Sequence, residues 1–326
     1  MNDSQVGENG VVRPFRFLAD APAIGDGKAL AETARRAEAM GIDVLVIPDH
    51  LVEQFAPIPF MATVAAATER LRIGTFVLNN DLRHPAVLAQ DLASLDVLSG
   101  GRLEIGIGAG WNLPEYRAIG LPFDPVGRRV ARLEEAIAVL KGAFGPGPFS
   151  FAGDYYTIAE LDGYPKPVQQ PHPPIFVGGG GRRTLSLAGR EADIVGLAPR
   201  ILPGDVPRSD PRSLTLEAAA EQIGWVREAA GERFDRLEIN TYPSTSEIIV
   251  TDHALAKART LAGRLRSRTG IEIGARELLD SPHIYIGSIS ALVEKFRSLR
   301  ANLGISSIMV GGIDELAPVV ERLRGT

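Results

Sequence analysis

The chain has 326 residues and a formal net charge of -5 at pH 7, with 45% hydrophobic and 23% charged residues. This composition is typical of a globular protein, and the lack of a long basic run argues against a nucleic acid or an anionic membrane as partner. The sequence contains no cysteine, which excludes disulfides, thiolate nucleophiles and zinc–thiolate sites. We therefore expect a cytoplasmic protein that acts on a small molecule.

Residues 1–14 are polar and glycine-rich and are predicted to be flexible, while residues 15–326 are predicted to form one domain. In that domain, short runs rich in Val, Ile and Leu alternate with stretches that have helical spacing. Runs that are apolar throughout indicate strands buried on both faces, as in a parallel sheet covered by helices. Eight strands are predicted, at residues 15–19, 44–47, 73–78, 103–108, 175–177, 194–197, 237–241 and 307–310.

Eight buried strands in a chain of this length favour an α/β fold of the (β/α)8 barrel type over an open sheet with an appended helical region. The phrases "AMGIDVLVI" and "NLGISSIMV" each stop a helix at a glycine, Gly41 or Gly304, and then enter a strand. Long connections follow the fourth, sixth and seventh strands. We expect a short hairpin in the first of them and covers for the substrate in the other two, at residues 145–174, 198–213 and 242–288.

Polar residues follow the second and third predicted strands, at the end of the barrel where active sites lie. The stretch "VLVIPDHL" places Asp49 and His50 there, and "FVLNNDLRHP" places Asn79. A histidine in this position can give or take a proton, because histidine ordinarily titrates near neutral pH. It can equally be a helix-entry residue satisfied by a neighbouring carboxylate, and Asn79 can equally be a helix cap.

A glycine run follows the fifth strand, and two arginines, Arg182 and Arg183, stand beside it. Backbone N–H groups at the start of a helix, next to a guanidinium, suit an anion and most often a phosphate. The alternative is a tight turn with two solvated arginines. The run consists of Gly178, Gly179, Gly180 and Gly181.

The stretch "GRLEIGIGAGWNLPEY", residues 101–116, contains the fourth strand. Its glycines Gly106, Gly108 and Gly110 alternate, so they point to one face and leave room for a flat group to approach the backbone. A weak strand with a bulge is the alternative interpretation. Trp111, at the strand exit, is expected to shape a substrate pocket.

Several site classes find no support in the sequence. The histidines are too scattered for metal-ligand spacing, so no metal is expected, and no G-x-S-x-G motif indicates a nucleophilic serine. A sugar-phosphate isomerase or aldolase is a weak alternative. It would use Gly311 and Gly312, which follow the eighth strand, where such barrels bind phosphate.

From about Phe15 onward the chain resembles the luciferase-like monooxygenase superfamily, and within it the branch of oxidoreductases that use the deazaflavin coenzyme F420. The resemblance implies a (β/α)8 barrel that holds the cofactor ring at its C-terminal mouth. It is carried by "FRFLAD", "AEAMGIDVLVIPDH", "RLRIGTFVLNNDLRHPAVLAQDLASLDVLSGGRLEIGIGAGWNLPEYRAIGLPF" and "PPIFVGGGGRRTLSLAGREADIVGL".

The resemblance also implies roles for individual residues. His50 would face the reactive edge of the ring, and Asp49 would help to orient it. A cis peptide bond between Phe76 and Val77 would back the ring. The remaining implied cofactor contacts are Asn79, Gly108, Gly110 and Asn112 along the route from ring to tail, and Gly178, Gly179, Gly180, Gly181 and Arg182 at the phosphate.

Two departures from the family pattern bear on the function. Trp111 stands where some sugar-phosphate dehydrogenases of the group carry a glutamate, and Glu115 lies further on, which argues against a sugar-phosphate substrate. Ala109 stands where the luciferases carry an arginine for the flavin phosphate, which weakens the case for tight flavin mononucleotide (FMN) binding.

The leading hypothesis is hydride transfer between coenzyme F420 and a small, hydrophobic organic substrate, with reduction of a C=C, C=N or C=O bond favoured. The substrate would contact Trp111, Phe55 and Tyr242. The alternatives are an FMN-dependent two-component monooxygenase and a catalytically inactive barrel that binds a small molecule. The resemblance further implies a homodimer formed through the second and third barrel helices.

Overall fold

The computed structural model describes residues 13–21, 25–202, 204, 208–244 and 248–326. Eight parallel strands form the central sheet, and each lies at the position predicted from its apolar run. We number them in chain order: β1 Arg16–Asp20, β2 Val44–Ile47, β3 Arg72–Thr75, β4 Leu103–Gly108, β5 Ile175–Gly179, β6 Ile194–Leu197, β7 Glu238–Thr241 and β8 Ile305–Gly312.

The strands close into a barrel. Neighbouring strands pair in the order β3, β2, β1, β8, β7, β6, β5, β4, and β3 also pairs with β4 through Ile73 opposite Leu103. The predicted (β/α)8 barrel is thus confirmed, and the open sheet is excluded by this last pairing. A short strand, Leu78–Asn79, extends the β3 side along β4.

Helices surround the barrel and follow its strands. The predicted glycine stops are confirmed, because Gly41 and Gly304 end their helices in the left-handed conformation, with φ of 83° and 69°. The helices are α1 Gly27–Met40, α2 Pro57–Ala67, α3 Pro85–Ser99, α4 Leu113–Ile119, α5 Val126–Phe144, α6 Arg182–Glu191, α7 Leu216–Ala230, α8 Ala254–Thr269, α9 Ala275–Asp280, α10 Ile289–Leu303 and α11 Ala317–Leu323. None of the helices in the described segments combines the length and the apolar character needed to cross a membrane.

The three long connections carry structure of their own. The expected hairpin pairs Phe149–Ala152 with Thr157–Leu161 between β4 and β5. The connection after β6 pairs Ile201–Leu202 with Arg208–Ser209. The connection after β7 holds α8, α9 and a parallel strand pair, and with Leu214 it forms a small second core of Leu214, Leu261, Leu278, Ile284 and Ile286.

The N-terminus predicted to be flexible comprises residues 1–14, and residues 1–12 of it lie outside the described residues. Arg13 is tied to the body of the protein, since its guanidinium donates to the Asp235 carbonyl at 3.1 Å and its own carbonyl accepts from Arg300 at 3.3 Å. The flexibility of residues 1–14 stays a prediction.

Ion pairs fill the N-terminal end of the barrel. Arg16, the first residue of β1, contacts Glu104 of β4 and Glu238 of β7, the latter at 2.7 Å. Arg72, the first residue of β3, pairs with Glu104 at 2.5 Å. Because the opposite charges neutralise one another here, we assign this end of the barrel to stability. The active sites of such barrels lie at the other end, the C-terminal mouth.

Candidate active site

His50 lies at the C-terminal mouth and contacts a carboxylate. Its Nδ1 is 2.9 Å from Glu115 Oε1 and 3.1 Å from Glu115 Oε2. The same Oε1 accepts the backbone N–H of Leu51 at 3.2 Å. The indole of Trp111 stands edge-on to the imidazole, with ring centroids 5.6 Å apart, and is 48% exposed. Three residues from the exits of β2 and β4 thus form one cluster.

The first turn of α4 brings Glu115 to His50. The turn before this helix depends on Gly110, which has φ of 72° and so adopts a conformation that favours glycine. A Cβ on Gly110 would lie 2.0 Å from the Tyr116 hydroxyl. That hydroxyl is 2.8 Å from Asp81 Oδ2 and 3.0 Å from Asn79 Oδ1, so Tyr116 ties α4 to the segment after β3. Burial and the Asp81 carboxylate raise the pKa of Tyr116.

Asp49 has a different partner from the one implied by the family resemblance. Its carboxylate is 2.5 Å from Arg83 Nη1 and accepts the backbone N–H of Asn79 at 3.0 Å. The carboxylate that contacts the His50 ring is Glu115. The expectation that Asp49 orients His50 is therefore corrected: Asp49 joins the exit of β2 to the segment after β3, because its side chain is buried against Arg83 rather than turned to the mouth.

Aromatic side chains form one wall of the mouth. The peptide bond between Phe76 and Val77 is cis, which the resemblance implied. The Phe76 ring lies 5.1 Å from the ring of Phe176 on β5 and 5.5 Å from that of Tyr242, which follows β7. Burial raises the pKa of Tyr242 to about 12. Phe76 and Tyr242, assigned separately from the sequence, are thus in contact.

The alternating glycines of β4 face the neighbouring segment rather than an open slot. A Cβ on Gly106 would lie 1.9 Å from the backbone oxygen of Thr75, and one on Gly108 would lie 2.8 Å from Val77. The space beside Gly106 is therefore filled by the backbone at the end of β3, and the space beside Gly108 is bounded by the side chain of Val77. At Gly106 this close backbone packing leaves no room for a flat ligand, which corrects that part of the interpretation. The implied cofactor contact of Gly108 stays a prediction.

The glycine run after β5 is also mostly committed to packing. A Cβ on Gly179 would lie 2.6 Å from Thr184, and one on Gly180 would lie 2.5 Å from the Ala198 carbonyl. Gly181 differs, because a Cβ there would meet nothing within 4 Å, and no side chain caps α6, which begins after it. Gly178 belongs to β5, near Phe176. Open space next to uncapped N–H groups is thus confined to Gly181 and the first turn of α6.

Arg182 points to the outside of the barrel. Its guanidinium is 2.8 Å from the carboxylate of Glu228 on α7, and both side chains are more than half exposed. An exposed ion pair of this kind is weak and can exchange partners.

Two carboxylates, those of Asp20 and Glu315, lie together at the mouth between β8 and β1. Asp20, the last residue of β1, is paired in register with Gly312, and Glu315 packs on the same turn, since a Cβ on Gly311 would lie 2.7 Å from Glu315 Oε2. Burial raises the pKa of Asp20, and burial together with the Asp20 carboxylate raises the pKa of Glu315. Acidic groups thus occupy the place after β8 where the alternative function, a sugar-phosphate isomerase or aldolase, would bind phosphate.

The structure brings some of the predicted residues together and leaves others apart. His50 and Trp111 form one group and Phe76 and Tyr242 another, while Phe55 is half-buried against the main core at the start of α2. Asn112 is the N-cap residue of α4. The residues that sequence reasoning did not assign to the site are Glu115, Tyr116, Arg83, Asp20 and Glu315. Of these only Glu115 had a local signal, four positions after Trp111 at the start of a helix. Within the described residues, no group of three or more metal-ligating side chains occurs.

A model of the luciferase-like monooxygenase family matches residues 8–268. The chain belongs to the luciferase-like monooxygenase family. This confirms the family that the sequence resembles, and it agrees with a site built at the C-terminal mouth of the barrel.

Curated relatives of this luciferase-like protein include enzymes that use either of two cofactors. It is 38% identical over 185 residues to an F420-dependent glucose-6-phosphate dehydrogenase of Kineococcus radiotolerans. The aligned stretch covers 54% of each chain. It is 41% identical over 128 residues to an FMNH2-dependent dimethylsulfone monooxygenase of Pseudomonas putida, which covers 39% of this chain and 35% of the relative. The matches thus span about half the length of these relatives or less.

Solved structures share the luciferase-like fold over nearly the whole chain. The F420-dependent tetrahydromethanopterin reductase of Methanopyrus kandleri aligns with a TM-score of 0.73 at 21% identity, covering 95% of this chain and 98% of that one. An F420-dependent secondary alcohol dehydrogenase, solved with an F420-acetone adduct, aligns with a TM-score of 0.70 at 20% identity, covering 96% of this chain and 100% of that one.

Proposed function

We propose that this luciferase-like protein is an oxidoreductase that transfers a hydride between coenzyme F420 and a small, uncharged organic substrate. The observation that carries the proposal is the position of His50, held at the barrel mouth by Glu115 and edged by Trp111. Similarity to several F420-dependent glucose-6-phosphate dehydrogenases supports the choice of cofactor.

The chain offers groups that fit a deazaflavin with a phosphorylated tail. The first turn of α6 has no side-chain cap, and the space at Gly181 is open, so its backbone N–H groups are available for an anion. Phe76, Val77 and Tyr242 supply an apolar wall for a flat ring. When bound, the deazaflavin would supply the hydride at its ring carbon for a reduction, or accept one there for the oxidation of an alcohol.

The residues of the chain supply the rest of the chemistry. His50 Nε2, the nitrogen not engaged by Glu115, can give a proton to the substrate oxygen, nitrogen or carbon, or take one from an alcohol. Trp111, Phe76 and Tyr242 exclude water, and a drier site strengthens the hydrogen bonds made by His50. Arg83 and Asp49 keep the exits of β2 and β3 together beneath these groups.

The acidic pair at the mouth supports an uncharged substrate. Asp20 and Glu315 lie between β1 and β8, and among the described residues neither forms an ion pair with a basic side chain. A phosphate near them would face like charge at a cost of several kcal/mol. We therefore propose that the substrate is a neutral ketone, enone, imine or alcohol rather than a sugar phosphate.

A titration of the purified protein tests the cofactor. We expect F420 to bind at least about tenfold more tightly than FMN, a difference of about 1.4 kcal/mol. Fluorescence of each cofactor gives the dissociation constant. Tight FMN binding with oxygen-dependent turnover and no F420 binding would make the protein a monooxygenase, which is the second candidate because of its similarity to the dimethylsulfone monooxygenase. Binding without any turnover would indicate an inactive barrel.

A comparison of substrates tests the proposed charge selection. With F420, we expect turnover of neutral alcohols or ketones and none of glucose 6-phosphate. Glu315→Gln is expected to raise kcat/KM for an anionic analogue of an accepted substrate by about tenfold, since it removes a like charge. Glu321→Gln, on the exposed face of α11, is the control. Equal use of glucose 6-phosphate and a neutral alcohol by the wild type would refute this substrate class.

We also propose a homodimer formed through α2 and α3. Both helices are apolar around much of their circumference, and Val87, Val97 and Leu98 on α3 are exposed in the single chain. Apolar side chains in such positions are typical of a protein interface. If the wild type sediments as a monomer and the Leu98→Glu variant sediments in the same way, the proposed dimer is excluded.

A further inference from the structure

The contact between Glu115 and His50 fixes which imidazole nitrogen carries the proton. Both carboxylate oxygens lie within 3.1 Å of Nδ1, and an ionised carboxylate only accepts hydrogen bonds. Nδ1 must therefore be the protonated nitrogen whenever the ring is neutral. The side chain of Glu115 is 12% exposed and that of His50 is 27% exposed, so water competes little for this bond.

The second nitrogen, Nε2, is then left as an acceptor on the open side of the ring. Among the residues that the structure describes, none hydrogen-bonds to Nε2. The indole of Trp111 stands at 86° to the imidazole, with the ring centroids 5.6 Å apart. The hydrogen bond to Glu115 thus sets both which nitrogen carries the proton and which edge of the ring stays open.

Glu115 is itself held from both sides. Its neighbour Tyr116 is anchored through Asp81 and Asn79, and helix α4 is bounded by Gly110 and Gly120, both with φ near 70°. The backbone N–H of Leu51 donates to the oxygen that is nearest to His50. The carboxylate therefore does not depend on His50 for its position.

We propose that Glu115 is a positioning residue for His50. It holds the Nδ1–H tautomer, so that Nε2 is the atom that exchanges a proton with the bound substrate, and it stabilises the positive charge that appears on the ring when Nε2 takes that proton. The role follows the logic of a histidine oriented by a buried carboxylate in hydrolases. It rests on the proposed function for the identity of the bound molecule, although the tautomer itself does not.

Nitrogen NMR of the protein labelled with 15N at its five histidines tests the tautomer without cofactor or substrate. The His50 signals are assigned by their loss in His50→Ala. We expect the wild type to show the Nδ1–H form alone at a pH where the ring is neutral. A wild-type His50 found in the Nε2–H form overturns the proposal, whatever the variants do.

The Glu115→Gln variant distinguishes a Glu115 that sets the tautomer of His50 from one that only holds Leu51 and α4 together. The amide keeps an oxygen that can accept from Leu51, but it can either accept from Nδ1 or donate to it, so both tautomers are expected. With F420 and a turned-over substrate, we expect kcat to fall by about 10- to 100-fold, by analogy with the loss seen when the hydrogen-bond partner that orients a metal-binding histidine is removed, with KM and the F420 dissociation constant unchanged.

Glu38→Gln is the matched control, because Glu38 also accepts backbone N–H groups, from residues 69 to 71, but at the opposite end of the barrel. It should leave the His50 signals and kcat unchanged. Unchanged His50 signals in Glu115→Gln, or mixed tautomers with unchanged kcat, would overturn the positioning role. If the wild type turns over nothing with F420, the proposed function fails, while the NMR result still decides the tautomer.

Discussion

Replacing His50 with alanine is expected to lower kcat by about 10²- to 10⁴-fold, which is the usual contribution of one positioned general acid or base. His50 contributes little to the core, since its side chain is 27% exposed and, among the described residues, its ring hydrogen-bonds only to Glu115. The variant should therefore fold and bind F420 as the wild type does. The measurement is the rate of change of F420 absorbance in single-turnover and steady-state experiments.

His84→Ala is the control for the loss of an imidazole. His84 accepts the N–H of Ala86 at 3.3 Å at the start of α3 and packs edge-on against Tyr156, with ring centroids 5.4 Å apart. Its removal should weaken the cap by about 1 kcal/mol and leave kcat unchanged. If His50→Ala retains wild-type kcat, or if it loses F420 binding together with activity, the role assigned to His50 is wrong.

Gly106→Ala is expected to lower the free energy of unfolding by about 3 kcal/mol or more, or to prevent folding. The added Cβ would lie 1.9 Å from the Thr75 carbonyl oxygen and 2.8 Å from its carbon. Both are backbone atoms of the adjacent strand segment, which cannot rotate out of the way as a side chain can. Urea denaturation followed by circular dichroism measures the difference.

Two other alanine substitutions calibrate this result. Gly108→Ala would meet only Val77 Cγ2, at 2.8 Å, so a smaller loss is expected because that side chain can adjust. Gly224→Ala, in the middle of α7, meets nothing within 4 Å and should raise stability by about 0.5–1 kcal/mol. Equal stability of Gly106→Ala and Gly224→Ala would show that β4 and the end of β3 are not packed as described.

The strands and the helix ends were accessible from the sequence because both depend on local properties. Eight apolar runs gave the barrel strands within two residues at most ends, and Gly41 and Gly304 marked helix ends through their left-handed backbone. The rim residues followed, since the end of a parallel strand decides which residues reach the mouth. His50, Trp111 and Tyr242 could therefore be assigned to one face of the barrel before any contact was known.

The partners of those residues were decided by the tertiary structure alone. Glu115 is 65 positions from His50, and Arg83 is 34 positions from Asp49, so no local pattern relates them. The nearer carboxylate in the sequence, Asp49, turned out to be the one that does not contact the ring.

The glycines of β4 show the same limit. Alternation along the strand predicted that Gly106 and Gly108 share a face, but what lies against that face is a segment about 30 residues earlier in the chain. Only the closure of the barrel, which sets β3 beside β4 in a given register, decides whether such a face meets a ligand or a backbone. The sequence by itself determined the elements and the end of the barrel that carries the site; the pairing of strands decided which atoms meet there, because contacts between distant segments depend on the register and twist of the closed sheet.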